Sequence, residues 1–107
     1  MAVYLSNAFS LSMVSHIGSC NLSINSNICN YQEMVESLEP LSIVGHQDTA
    51  NLFSNILGVD VPMNRVSITL NKGDTLIVGQ YNGARLPEGT SVLPEGASIT
   101  WTCVHVE

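Results

Sequence analysis

Apolar and polar positions along this chain alternate in some stretches and recur at helical spacing in others. Val66, Ile68 and Leu70 alternate with Ser67 and Thr69, the period-two signature of a strand with one buried face. Asn71-Lys72-Gly73-Asp74 then reads as a turn and Leu76-Ile77-Val78 as a second apolar run, so the pair predicts a β-hairpin. A short strand, Val3-Tyr4-Leu5, opens the chain, and the polar residues of Asn7-Ala8-Phe9-Ser10 mark its exit from the sheet. Alternation around Cys20-Asn21-Leu22-Ser23-Ile24, inside a Ser- and Asn-rich stretch, suggests an edge strand. Leu41-Ser42-Ile43-Val44 reads as a short buried strand, and Ser98 to Val106 as the last one.

Helical spacing appears in two places. Met34, Val35 and Leu38 stripe a helix from Tyr31 to Leu38, with Pro40 stopping it; Ala50, Phe53 and Leu57 stripe another that ends at Gly58. Gly45-His46-Gln47-Asp48-Thr49 is then a strand-to-helix junction, where unpaired amides and the positive end of the helix dipole favour an anion. Leu86-Pro87-Glu88-Gly89 is echoed by Leu93-Pro94-Glu95-Gly96, which predicts two turns of similar shape. The order of elements fits an α/β (α+β) single domain over residues 1–107, a mixed sheet of about five strands with flanking helices.

Composition narrows the function. With 107 residues, 45% hydrophobic and 11% charged, the chain can bury a core and is too apolar for a disordered segment. Cys20, Cys29 and Cys103 are odd in number and form no CxxC pair, which points to reduced thiols in a cytoplasmic protein. His16, His46 and His105 share no ligand spacing with them, so a zinc site has little support. No apolar run approaches the roughly 20 residues of a membrane span. The formal charge is −6, with Arg65, Lys72 and Arg85 against nine carboxylates, which argues against tracking along a long nucleic acid. A small anion differs, because a few cations and backbone amides can hold it.

Taken one at a time, the candidate residues are ordinary: a histidine at a helix start usually caps or packs, and Pro-Glu-Gly is usually a turn. Alone they support an acidic α/β domain with an anion site near His46. Their order along the chain says more. Leu5-Ser6-Asn7-Ala8-Phe9-Ser10-Leu11, Gly45-His46-Gln47-Asp48-Thr49-Ala50, Leu57-Gly58-Val59-Asp60-Val61-Pro62, Asn64-Arg65-Val66, Gln80-Tyr81-Asn82-Gly83 and Arg85-Leu86-Pro87-Glu88-Gly89 follow one another. The set resembles the viral anti-CRISPR ring nucleases, a family of small archaeal-virus, phage and bacterial proteins. The resemblance covers most of the chain outside roughly residues 14–40. Ala84 stands where close relatives often carry Pro, a change expected to loosen the loop without removing a functional group.

The resemblance implies a two-fold homodimer that binds cyclic tetra-adenylate, the messenger of type III CRISPR defence, and cleaves it with no metal and no cofactor. By motif position, it implies His46 as general acid, Arg85 on the scissile phosphate and Glu88 orienting the attacking 2′-hydroxyl, with Asn7, Ser10, Arg65 and Gln80 holding the ligand. The alternative is a sponge of the same fold that sequesters a cyclic nucleotide uncut. An interaction module with no nucleotide ligand is the blander possibility, because fold alone does not fix function.

Overall fold

Five strands share one mixed sheet in the computed structural model, which describes residues 1–107. In chain order they are β1 (Val3–Ser6), β2 (Leu22–Asn25), β3 (Leu41–Ser42), β4 (Thr75–Asn82) and β5 (Ser98–Val106). Helix α1 (Tyr31–Leu38) lies between β2 and β3, and α2 (Gln47–Leu57) between β3 and β4. The spatial order is β2-β5-β4-β1-β3. β1 runs parallel to both β3 and β4, whereas β5 is antiparallel to β4 and β2. The α+β class, the mixed sheet and the two helices are those read from the sequence, and β2 is an edge strand as its alternation suggested.

Each face of the sheet buries its own core. On the helix side, Val35 of α1 and Ala50, Phe53 and Leu57 of α2 pack with Leu5, Ile77 and Trp101. Gly79 makes this approach possible: a Cβ there would lie 2.6 Å from the Trp101 ring and 2.7 Å from that of Phe53. α2 closes at Gly58, whose left-handed backbone (φ 72°) lets its N–H donate to the Ser54 carbonyl. On the other side, Tyr4, Leu76, Val78, Val104 and Val106 are covered by irregular chain: Phe9, Val14 and two short 3-10 turns, Leu11–Met13 and Ser15–Ile17.

The expected hairpin between Val66–Leu70 and Leu76–Val78 does not form. β4 already pairs along both edges, parallel to β1 and antiparallel to β5, so it has no edge left for the preceding segment. Residues 66–70 lie outside the sheet and help cover its second face. Leu70 is fully buried there, Ile68 packs beside it, and the Leu70 amide donates to the Met13 carbonyl at 2.7 Å. Val66 is 51% exposed, so the alternation reports burial of Ile68 and Leu70 alone and no strand pairing. β3 is also shorter than Leu41–Val44: the Ile43 amide still donates to the Leu5 carbonyl of β1 at 2.8 Å, but Val44 turns to accept from the Asn64 amide instead.

The turn at residues 71–74 does form and is pinned by Asp74. Its carboxylate accepts the Ala2 amide at 2.8 Å and the Asn71 amide at 2.9 Å, tying the chain start to β4. Burial by itself pushes this carboxyl up, but the two amides and the N-terminal charge outweigh it and hold Asp74 below the usual carboxylate range.

Candidate functional site

Because β1, β3 and β4 are parallel, their carboxyl ends lie at one end of the sheet, the place where open α/β sheets bind ligands. Asn7 follows β1, His46 follows β3 after a short connection, and Gln80 lies in β4 two residues beyond the pairing of Val78 with Ser6. The Ser6 hydroxyl closes a tight turn with the Ala8 amide and carbonyl, which sends the chain off the sheet at Asn7. The loop between β4 and β5, residues 83–97, emerges at this same end and carries Arg85 and Glu88.

These residues fall into groups. Asn7 and Gln80 share an open cleft of about 380 Å³ on the second face, with Phe9, Ile24, Val78 and Thr102. Arg85 and Glu88 share a shallower cleft of about 580 Å³ with Asp48, Leu86 and Pro87. Arg65 lies beside the α2 start, its Cγ 3.6 Å from where a Gly45 Cβ would sit. It is placed there by Asn64, whose amide and side chain donate to the Val44 and Ser42 carbonyls at 2.8 and 2.9 Å. His46 is the N-cap of α2 in extended conformation, yet its side chain caps no amide. The first turn thus has no side-chain cap from this position, and its amides keep their affinity for an anion. Ser10 stands apart from both clefts, its hydroxyl accepting the Ser12 amide and pairing with the Ser12 hydroxyl.

His46, Arg65, Arg85, Glu88, Ser10 and Gln80 are all exposed. A third cavity, of about 330 Å³, is rimmed by Glu36, Glu39 and Asp60, whose charge repels a phosphate-bearing ligand. Among the thiols, burial pushes Cys103 up, which disfavours its thiolate.

Comparison with known proteins bears on this arrangement. A family model described as STIV B116-like matches residues 3–96. The chain belongs to this family. All seven candidate residues, from Asn7 to Glu88, lie inside the matched span. Among solved structures, B116 of Sulfolobus turreted icosahedral virus superimposes with a TM-score of 0.77 at 25% identity, covering 98% of this chain and 99% of that one. "Uncharacterized protein 26" of Sulfolobus islandicus filamentous virus (isolate Iceland/Hveragerdi) is 44% identical over 46 residues, 43% of this chain and 39% of that protein. The chain thus matches about two fifths of that relative's length. Both relatives are proteins of archaeal viruses, and the family's fold is that of the whole chain.

Sequence reasoning missed Asp48, which lines the Arg85–Glu88 cleft and whose carboxylate accepts the Gly89 amide at 3.2 Å. It also missed Asn55, which donates to the Ser91 carbonyl at 3.0 Å. Their seven-residue spacing puts both on one face of α2, a signal present in the sequence, but nothing there shows that a loop docks on that face. At the loop base, the Tyr81 hydroxyl donates to the Ala84 carbonyl at 2.6 Å.

Proposed function

We propose that this chain binds cyclic tetra-adenylate across a two-fold dimer and cleaves it to linear di-adenylate ending in a 2′,3′-cyclic phosphate. The observation that carries the reading is the placement of Arg65, Arg85 and Glu88 about the uncapped start of α2, with Asn7 and Gln80 in a separate cleft at the same end of the sheet. In this reaction the ribose 2′-hydroxyl gives up its proton to solvent as its oxygen bonds to the adjacent phosphorus, the bond to the 5′-oxygen breaks, and the departing alkoxide takes up a proton from His46. The nucleophile belongs to the substrate, so no hydrolytic water has to be activated.

His46 supplies the proton, Arg85 neutralises the non-bridging oxygens as the phosphorane forms, and Glu88 orients the 2′-hydroxyl. Arg65 and the α2 amides hold a phosphate, and Asn7, Gln80 and Ser10 contact the sugar and base. One chain offers only Arg65, Lys72 and Arg85 as cations against a ligand with four phosphates. A second copy doubles that supply and matches the ligand's own near two-fold symmetry. It also shields side chains that one chain leaves in water.

Sequestration without cleavage is the second reading, favoured by one observation: His46 lines neither cleft. Mass spectrometry of purified protein incubated with cyclic tetra-adenylate and a chelator separates the two. Linear di-adenylate with a cyclic phosphate supports the nuclease. Ligand that is bound but intact supports the sponge, and ligand neither bound nor cut removes both.

A further inference from the structure

We propose that Asp48 and Asn55 are positioning residues: together they latch the β4–β5 loop onto α2 and so set where Arg85 and Glu88 stand against the ligand. The role given to Arg85 and Glu88 rests on the function proposed above, but the latch itself is a feature of the fold. The loop runs from Gly83 to Ala97, long for a connection between antiparallel neighbours, and long loops cost chain entropy to order. Its internal hydrogen bonds are confined to its two echoed turns, where Thr90 donates to Pro87 and Ala97 to Pro94, both at 3.1 Å. Tyr81 fixes the base at Ala84. Apart from that bond to β4, the hydrogen bonds that reach from the loop to another element are Gly89 to Asp48 and Asn55 to Ser91, both on α2.

Residues 48 and 55 are about two helical turns apart and project from the same side, so a single rigid face of α2 grips the loop at both points. The grip falls just beyond Glu88: Gly89 has a left-handed backbone (φ 81°) and donates its amide to the helix in the same turn that presents Glu88 and follows Arg85. Ordering the loop from the helix that also carries His46 would fix the geometry among His46, Arg85 and Glu88 through one element.

The chemistry of Asp48 points the same way. A carboxylate lining a cleft with Arg85 and Glu88 works against binding a phosphate, and it competes for the arginine. What it offers that a hydrophobic residue cannot is an acceptor for the Gly89 amide. Asparagine offers the same acceptor without the charge, so the conservative exchange separates latch from charge.

The test pairs a readout of the loop with a readout of the reaction. Trypsin can cut this chain after Arg65, Lys72 and Arg85, and the Arg85–Leu86 bond lies in the loop. Cutting there, followed by mass spectrometry on the intact protein, measures loop release without substrate. For Asp48→Ala and Asn55→Ala we expect cutting after Arg85 to quicken roughly 3- to 10-fold each, the usual worth of one hydrogen bond, and further in the double variant. Single-turnover cleavage of cyclic tetra-adenylate should slow by a similar factor, with the dissociation constant changed less. Asp48→Asn should cut after Arg85 like wild type and bind the ligand at least as tightly.

Unchanged cutting after Arg85 in all three alanine variants overturns the latch, whatever happens to cleavage. Quicker cutting with unchanged single-turnover rates overturns the positioning role. Asp48→Asn behaving like Asp48→Ala overturns the hydrogen bond as the cause. A wild type that neither binds nor cleaves cyclic tetra-adenylate overturns the functional reading and with it the positioning role, while the trypsin data still decide the latch.

Discussion

At the scale of single residues, four of the side chains proposed to meet the ligand stand in two clefts, Asn7 with Gln80 and Arg85 with Glu88. His46 has a signal of its own, the strand-to-helix junction, whereas Arg65 and Arg85 stand out only within the ordered set of motifs; the structure adds that Arg65 lies against Gly45 next to His46. Asp74 was read as a turn residue, and its wider role was invisible because the Ala2 amide that it accepts is 72 residues away. That role has a pH signature. A carboxyl held below its ordinary value in the folded state stabilises the fold fully above the unfolded value of about 3.9, and the contribution is lost as pH falls through the lower, folded value. Asp74→Asn should therefore lower the thermal midpoint at neutral pH and flatten its fall on acidification below about pH 4. Thermal melts of both proteins across that range check this, and parallel curves would count against it.

At the scale of elements, α1, α2 and β2 were legible because each has a local signature: an apolar stripe with a stop, or alternation. Tyr31–Leu38 and Ser98–Val106 match the structure end to end. The partner of β4 was not legible. Val66–Leu70 carries the alternation of a strand, but pairing depends on which edges are free, and β1 and β5 occupy both sides of β4. The two 3-10 turns between Leu11 and Ile17 were equally hidden, since their order comes from packing on the second face. The helix-side packing makes a definite demand on Gly79, where a methyl group would overlap the rings of Trp101 and Phe53. Gly79→Ala should destabilise the protein by about 1–3 kcal/mol through overpacking, read as a lower denaturant midpoint with an unchanged slope. An unchanged midpoint would mean that α2 packs less closely on β4 than described.

At the scale of the whole molecule, the account depends on a second copy. Six of the seven candidate side chains, all but Asn7, are exposed, and Leu11 and Ile24 remain 73% and 56% exposed. Light scattering should give the mass of two chains, and a monomer that cleaves at full rate would contradict the two-fold site. Nothing local to the sequence records such a contact, which is why only the family resemblance raised it. The most direct test of the central claim is single-turnover decay of cyclic tetra-adenylate beside a binding titration, for wild type and His46→Ala. Loss of an unprotonated ribose 5′-alkoxide is difficult, so a positioned acid contributes on the order of 10²–10⁴-fold to the rate, whereas capture rests on the arginines and the α2 amides. The account predicts slowing of that order in His46→Ala with binding retained; equal rates in the two proteins, or no cleavage by wild type, would contradict it.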